Sequence, residues 1–175
     1  MKIINPAHIK EIIDLINRGP YFVLLSMEVK DLSVGYSRVE VNLEKKHLNP
    51  FGGIHGGVYS SLIDTAAYWA VYCDLEEDVG YISLDVQVDN LAAVKGGFLL
   101  IEGKCIKVGR SICKAEAVIR DSNGKYLAHG TSKQMITPGL QTINQAALAM
   151  GFKTLPPKFI SAQDTLQTLN CDRAH

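Results

Sequence analysis

The chain has 175 residues, 47% of them hydrophobic, which suits one domain or one domain with an appendage and supplies a sizeable core. Its 18 Lys and Arg balance 18 Asp and Glu, so the broad positive field that non-specific nucleic-acid binding relies on is missing. No apolar run reaches the ~20 residues of a membrane helix. The N-terminus meets Pro6 and then charged residues too early for the apolar centre of a signal peptide. Cys73, Cys105, Cys113 and Cys171 form no C-x-x-C pair and no regular spacing. A soluble, reduced, cytoplasmic protein is expected.

Asn5-Pro6 reads as a helix start, with Asn as cap and Pro at the first helical position. Ile9, Ile12, Ile13 and Ile16 then share one helical face, and Gly19-Pro20 ends the helix. Tyr21 to Leu25 is short and apolar and fits no element well. From Met27 the period changes to two, clearest where Val39, Val41 and Leu43 alternate with polar residues. Further strands are expected over Tyr81–Val88, Phe98–Val108, Ser111–Asp121 and Lys125–Ile136, with Gly109-Arg110 and Asn123-Gly124 as turns. Between the first strands and Tyr81 lies one helix, roughly Gly56 to Cys73, apolar on nearly every side and so expected to be buried all round. One buried helix with several long antiparallel strands predicts an α+β fold whose sheet wraps the helix. Residues 1–20 form an N-terminal helix in this reading and 21–137 the main domain. Residues 138–175 form a C-terminal extension of uncertain order, with a short helix over Asn144–Met150.

The chemistry concentrates in His47-Leu48-Asn49-Pro50-Phe51-Gly52-Gly53-Ile54-His55-Gly56-Gly57 and the helix that follows. Asp64 is the only acid between Glu44 and Asp74. A carboxylate in an apolar helix is unfavourable unless it is paired or hydrogen-bonded, so Asp64 is either a structural residue tied to its neighbours or an acid–base group. His55-Gly56-Gly57 leads into the helix. Its glycines either serve a tight turn or let a ligand approach free amides at the positive end of the helix dipole, where a developing oxyanion is stabilised. His55 and Asp64 are nine residues apart, which puts them on opposite helix faces and ~13 Å apart along the axis. Two chains related by a two-fold axis, with their helices side by side, would bring Asp64 of one to the Gly56 amide of the other.

Asn49-x-x-Gly52-x-x-His55-Gly56-Gly57 followed by Asp64 resembles the signature of the PaaI-like hotdog-fold acyl-CoA thioesterases, over roughly Tyr21 to Thr137. The resemblance implies hydrolysis of an acyl-CoA thioester by a homodimer, commonly packed into a homotetramer, with coenzyme A bound at the subunit interface as part of the substrate and no separate cofactor. By position it implies Asp64 as nucleophile or general base and the Gly56 amide as oxyanion donor. It further implies Asn49 as the residue orienting carbonyl or water, His55 as holder of the loop and polariser of the thioester, and Ser83 as a hydroxyl positioning water. Gly57 and Tyr68 would then contact substrate, with Trp69 and Tyr72 beside an acyl pocket. Lys95, Lys104, Lys107 and Arg110 are candidates for the CoA phosphates, Lys107 and Arg110 foremost. His8, His47, His55, His129 and His175 show no metal-ligand spacing, and no metal is expected. Two other activities fit such a fold: a non-catalytic acyl-CoA sensor, and an acyl-CoA hydratase or dehydratase.

Overall fold

The computed structural model describes residues 2–152 and 154–161. Cys171 and His175 lie outside the described residues. The N-terminal helix, α1 (Pro6–Asn17), starts where the sequence places it, with the Asn5 side chain accepting from the Ala7 amide at 3.0 Å. Tyr21–Leu25, unassigned by periodicity, belongs to a short second helix, α2 (Pro20–Leu25), opened by Pro20 and closed by Ser26 in the left-handed region. Six strands follow: β2 (Met27–Ser33), β3 (Tyr36–Leu43), β4 (Tyr81–Asn90), β5 (Gly97–Val108), β6 (Ile112–Asp121) and β7 (Tyr126–Ile136). They form one antiparallel sheet in the order β2-β3-β5-β6-β7-β4.

The central helix, α3 (Gly56–Ala70), crosses this sheet and touches all six strands. One helix can reach six strands only if the sheet curls around it, which is the hotdog architecture. Small residues let the backbones approach. A Cβ added at Gly103 on β5 would lie 2.2 Å from the Ala66 carbonyl oxygen, and one at Gly130 on β7 would lie 2.7 Å from the Ile63 side chain. Ser37, fully buried on β3, donates to the same Ala66 carbonyl at 2.6 Å.

The helix is not buried all round. Val58, Tyr59, Leu62, Ile63, Ala66, Ala67 and Ala70 face the sheet, whereas Ser61, Asp64, Thr65 and Tyr68 are only partly covered and Gly57 is exposed. That stripe follows the i, i+4, i+7 spacing of one helical face. The edge strand β4, unpaired on its outer side among the described residues, leaves Leu84 and Val86 exposed beside it.

Among the described residues of the C-terminal extension, two elements form. A short helix, α4 (Ile143–Ala149), carries a capping box between Thr142 and Gln145. Further on, β8 (Phe159–Ser161) pairs antiparallel with β1 (Lys2–Ile4). Lys158, 2% exposed, donates to the carbonyls of Tyr72 (2.5 Å) and Leu75 (2.7 Å) and sits over the Tyr72 ring. His8 bridges the Pro156 carbonyl and the Tyr72 hydroxyl, each at 2.6 Å. Among the described residues, no helix is long and apolar enough to cross a membrane.

Candidate active site

The loop before α3 is built by its own side chains. His47 is fully buried: its Nδ1 accepts from the Glu44 amide at 2.8 Å and its Nε2 donates to the Leu25 carbonyl at 2.7 Å. Those partners fix one neutral tautomer. Both ends of the Asn49 amide are also engaged locally. Its Oδ1 accepts from Phe51 (2.9 Å) and Gly53 (3.3 Å), and its Nδ2 donates to the Ile54 carbonyl at 3.2 Å. In this chain Asn49 therefore shapes the loop, with its side-chain oxygen turned to backbone amides.

His55 caps α3, its Nδ1 accepting from the Gly57 amide at 2.9 Å. An accepting Nδ1 leaves the ring proton on Nε2, and the side chain is exposed. The Val58 amide closes on the His55 carbonyl at 2.9 Å. Of the first three helical amides, only Gly56 then has no acceptor among the described residues. It borders a cleft of about 310 Å³ lined by Ile54, Gly56, Tyr59, Asn90 and Leu91–Ala93. A second cleft, about 320 Å³, opens on the other side of the helix start between His55, Gly57, Ser61 and the residues Tyr21 and Lys46.

Asp64 lies two turns further along, on the open stripe. Its Oδ1 accepts from Ser83 on β4 and from Ser132 on β7, both at 2.9 Å. Its Oδ2 makes no hydrogen bond among the described residues. A bulge at Leu84 matters here. Residues 83 and 85 of a regular strand would share a face; the inserted residue sends Ser83 inward to Asp64 and Asp85 outward to Lys133, whose Nζ it meets at 2.6 Å. That ion pair holds the Asp85 carboxyl below its ordinary range, the Lys133 hydrogen bond being the main cause.

Tyr68, one turn past Asp64, donates its hydroxyl to the Tyr81 carbonyl at 2.9 Å and stacks on the Tyr81 ring at 4.1 Å. Burial pushes its phenol well above the ordinary value, so the hydroxyl stays neutral. Tyr68 and Trp69 form one wall of a third cleft, about 400 Å³, whose opposite wall is Gln141, Thr142, Gln145 and Ala146 at the start of α4. Tyr72 is turned away from this cleft into the contact with His8 and Lys158.

Lys107 and Arg110 are exposed at the far end of β5 and its turn. Lys107 pairs in register with Lys114, and Lys114 with Lys133, placing three lysines in one row across the sheet. Lys114 and Lys133 escape sequence reasoning because only the register brings them beside Lys107. Ser132 and Gln134 escape it too, for the same reason. Lys95 and Lys104 are exposed and lie outside that row.

Residues 51–128, which contain the helix cap, Asp64, Ser83 and the strands β4, β5 and β6, match the thioesterase superfamily. Over that segment the chain is similar to members of this superfamily. The chain is 27% identical to a 1,4-dihydroxy-2-naphthoyl-CoA hydrolase of Listeria monocytogenes, over 59% of this chain and 84% of that protein. It is 24% identical to acyl-coenzyme A thioesterase 13 of Mus musculus, over 70% of this chain and 90% of that one. Among solved structures it resembles zebrafish thioesterase superfamily member 2, with a TM-score of 0.64 and 27% identity over 73% of this chain and 95% of the other.

Proposed function

We propose that this protein hydrolyses an acyl-CoA thioester to a free acid and CoA in a site shared between two copies of the chain, of the PaaI-like type. The observation that carries the reading is the state of two groups on α3. Asp64 has one oxygen held by two serines and the other open, and Gly56 has an amide with no acceptor. Both lie in the segment similar to the thioesterase superfamily, and relatives of this chain carry the names of acyl-CoA hydrolases.

Asp64 Oδ2 takes a proton from water, and the water oxygen forms a bond to the thioester carbonyl carbon. The carbonyl electron pair moves to oxygen, where the Gly56 N–H and the helix dipole receive the charge. The tetrahedral species collapses with loss of the C–S bond, and the proton held by Asp64 passes to the departing CoA sulfur. Ser83 holds the carboxylate and offers its oxygen lone pairs to the attacking water.

Eight steps of unbroken helix lead from Gly56 to Asp64, a rise of ~12 Å. A single carbonyl cannot reach both within one chain. A two-fold packing of α3 against a second α3, with the β4 edges paired, covers the stripe Gly57–Ser61–Asp64–Tyr68 together with Leu84 and Val86. It also brings the Gly56 amide of one copy to Asp64 of the other. The row Lys107–Lys114–Lys133 and Arg110 supply positive charge for the CoA phosphates. Tyr68 and Trp69 supply an apolar wall for the acyl group.

The test is free-thiol release from a panel of acyl-CoA esters, with aryl, short and medium acyl groups. Turnover is expected in the native protein and is expected to be lost in Asp64→Ala with its oligomeric state unchanged. Mixing Asp64→Ala chains with Gly56→Pro chains should restore activity, since each mixed dimer regains one intact site. Activity in a pure Asp64→Ala sample, or no recovery in the mixture, overturns the reading. Tight acyl-CoA binding without any thiol release would favour a sensor.

A further inference from the structure

Beneath Asp64, β7 presents two inward side chains that hydrolysis by Asp64, Ser83 and Gly56 does not use. Ser132 and Gln134 are both 0% exposed. Ser132 Oγ lies 2.9 Å from Asp64 Oδ1 and 2.8 Å from the Asp85 carbonyl oxygen. The Gln134 Nε2 donates to the same Oγ at 3.0 Å.

A hydroxyl has one proton and two lone pairs. Gln134 occupies one lone pair, so two acceptors are left facing a single proton. The competition is uneven and depends on the charge of Asp64. A carboxylate oxygen is the stronger acceptor, because a charge-assisted hydrogen bond is roughly twice as strong as a neutral one. Once Oδ2 is protonated, Oδ1 becomes an ordinary acid carbonyl and loses that advantage over the Asp85 peptide oxygen. Gln134 bears on this directly. Its Oε1 is the one buried side-chain polar atom without a partner among the described residues. Reversing the amide would present that oxygen to Ser132 and draw the hydroxyl proton away from both acceptors. The orientation that leaves Oε1 unmet is the one that keeps the proton available to Asp64.

We propose that Ser132 is a positioning residue for Asp64. Its hydroxyl, steadied by Gln134, gives its proton to Asp64 Oδ1 while the carboxylate is charged and turns it to the Asp85 carbonyl after Oδ2 has taken a proton from water. The Ser132 proton stays on Oγ throughout; only its direction changes. The charged base thus receives two donors on Oδ1, which aims Oδ2 at the water. The protonated base is not left facing a misdirected dipole. The proposal rests on Asp64 acting as the base.

The experiment compares Ser132→Ala, Ser132→Cys and Ser132→Thr in the full-length oligomer, with Asp64→Asn as control. Cysteine nearly preserves volume but is a weak donor, so it separates hydrogen bonding from packing. In Ser132→Ala and Ser132→Cys, kcat is expected to fall about tenfold or more, with KM little changed. The acidic limb of the kcat–pH profile should move to higher pH, because a donor to the charged form has been lost. Ser132→Thr, which keeps the hydroxyl, should restore both. Adding Ser132→Cys to Asp64→Asn should leave the residual rate unchanged. Wild-type kcat and an unmoved acidic limb in a folded Ser132→Cys protein, with Asp64→Asn inactive, overturns the role of Ser132 alone. An active Asp64→Asn protein overturns the hydrolytic reading beneath it.

Discussion

Ser83 and Asp64 meet through a 2.9 Å hydrogen bond that ties the edge strand β4 to the open face of α3. The contact exists because the strand bulges at Leu84 and turns Ser83 inward. It places a hydroxyl at the rim of the sheet, beside a carboxylate whose Oδ2 has no hydrogen bond among the described residues.

Ser83→Ala removes that donor without disturbing the ladder, whose bonds are made by the backbone. The expected result is a kcat lower by about 10- to 100-fold, the range set by losing a hydrogen bond to a charged group. KM should change little. Steady-state thiol-release kinetics on the best acyl-CoA substrate check this; a change confined to KM would show that Ser83 binds substrate instead.

Gly56→Pro deletes one atom group of interest, the unpartnered amide N–H. Proline is favoured at the first helical position. His55, at φ −73° and ψ 132°, already has the extended backbone that a following proline requires. A Cβ at position 56 approaches only the Asn90 side-chain amide, at 3.2 Å. The variant should fold with near-native helicity and lose about 10²- to 10³-fold in kcat, the usual effect of losing one oxyanion donor. Circular dichroism together with kinetics separates this from misfolding.

Lys158 gives a stability prediction with a definite sign. Burial lowers its ammonium from 10.5 to about 8 in the folded protein. Below that value both folded and unfolded chains carry the charge, and pH has no effect through this group. Between about 8 and 10.5 the unfolded chain holds the proton and the folded one does not, so stability rises with pH. The slope approaches about 1.4 kcal/mol per pH unit. Cys73, which burial pushes up to about 11, acts in the opposite direction. The measurement is therefore the difference between native protein and Lys158→Met in denaturant midpoints from pH 7 to 10. That difference should shift in favour of the native protein as pH rises; a flat difference would contradict it.

Ala146→Trp should fill the cleft between α4 and the Tyr68–Trp69 wall. If the acyl group lies there, kcat/KM for medium-chain and aryl substrates should fall about tenfold or more, an amount typical of excluding a few carbons from an apolar pocket. Acetyl-CoA should be turned over as before. Uniform loss across the panel would place the acyl group elsewhere.

Much of the candidate site lies in adjacent residues, which is why its local arrangement is legible in the sequence. The Asn5-Pro6 cap, the His55-Gly56-Gly57 entry, the apolar run around Asp64 and the Asn123-Gly124 turn all act over a few positions. What escaped depends on register or on distant chain. Ser132 and Gln134 look like ordinary inward positions of an alternating strand until β7 is laid under α3. Lys114 joins Lys107 only through the ladder of β5 with β6. Tyr21–Leu25 fell between periods because the six-residue helix it belongs to is too short to display one. Asn49 shows the opposite case: its neighbourhood was legible, yet its amide turns to Phe51, Gly53 and Ile54, a local preference that Asn shares with every tight loop. The helix was expected to be enclosed because its composition is apolar, but composition does not say which body does the enclosing.

The pairing of β1 with β8 sets how far this enzyme can be trimmed. Cutting the chain at Thr137, where the sheet ends, would strip Pro156 and Lys158 from His8 and from the Tyr72 and Leu75 carbonyls. Those groups sit against the C-terminal end of α3, so a fragment ending at Thr137 would open its interior to solvent behind that helix. The working unit is thus a belted one, fastened by two short ends that hold no reacting atom.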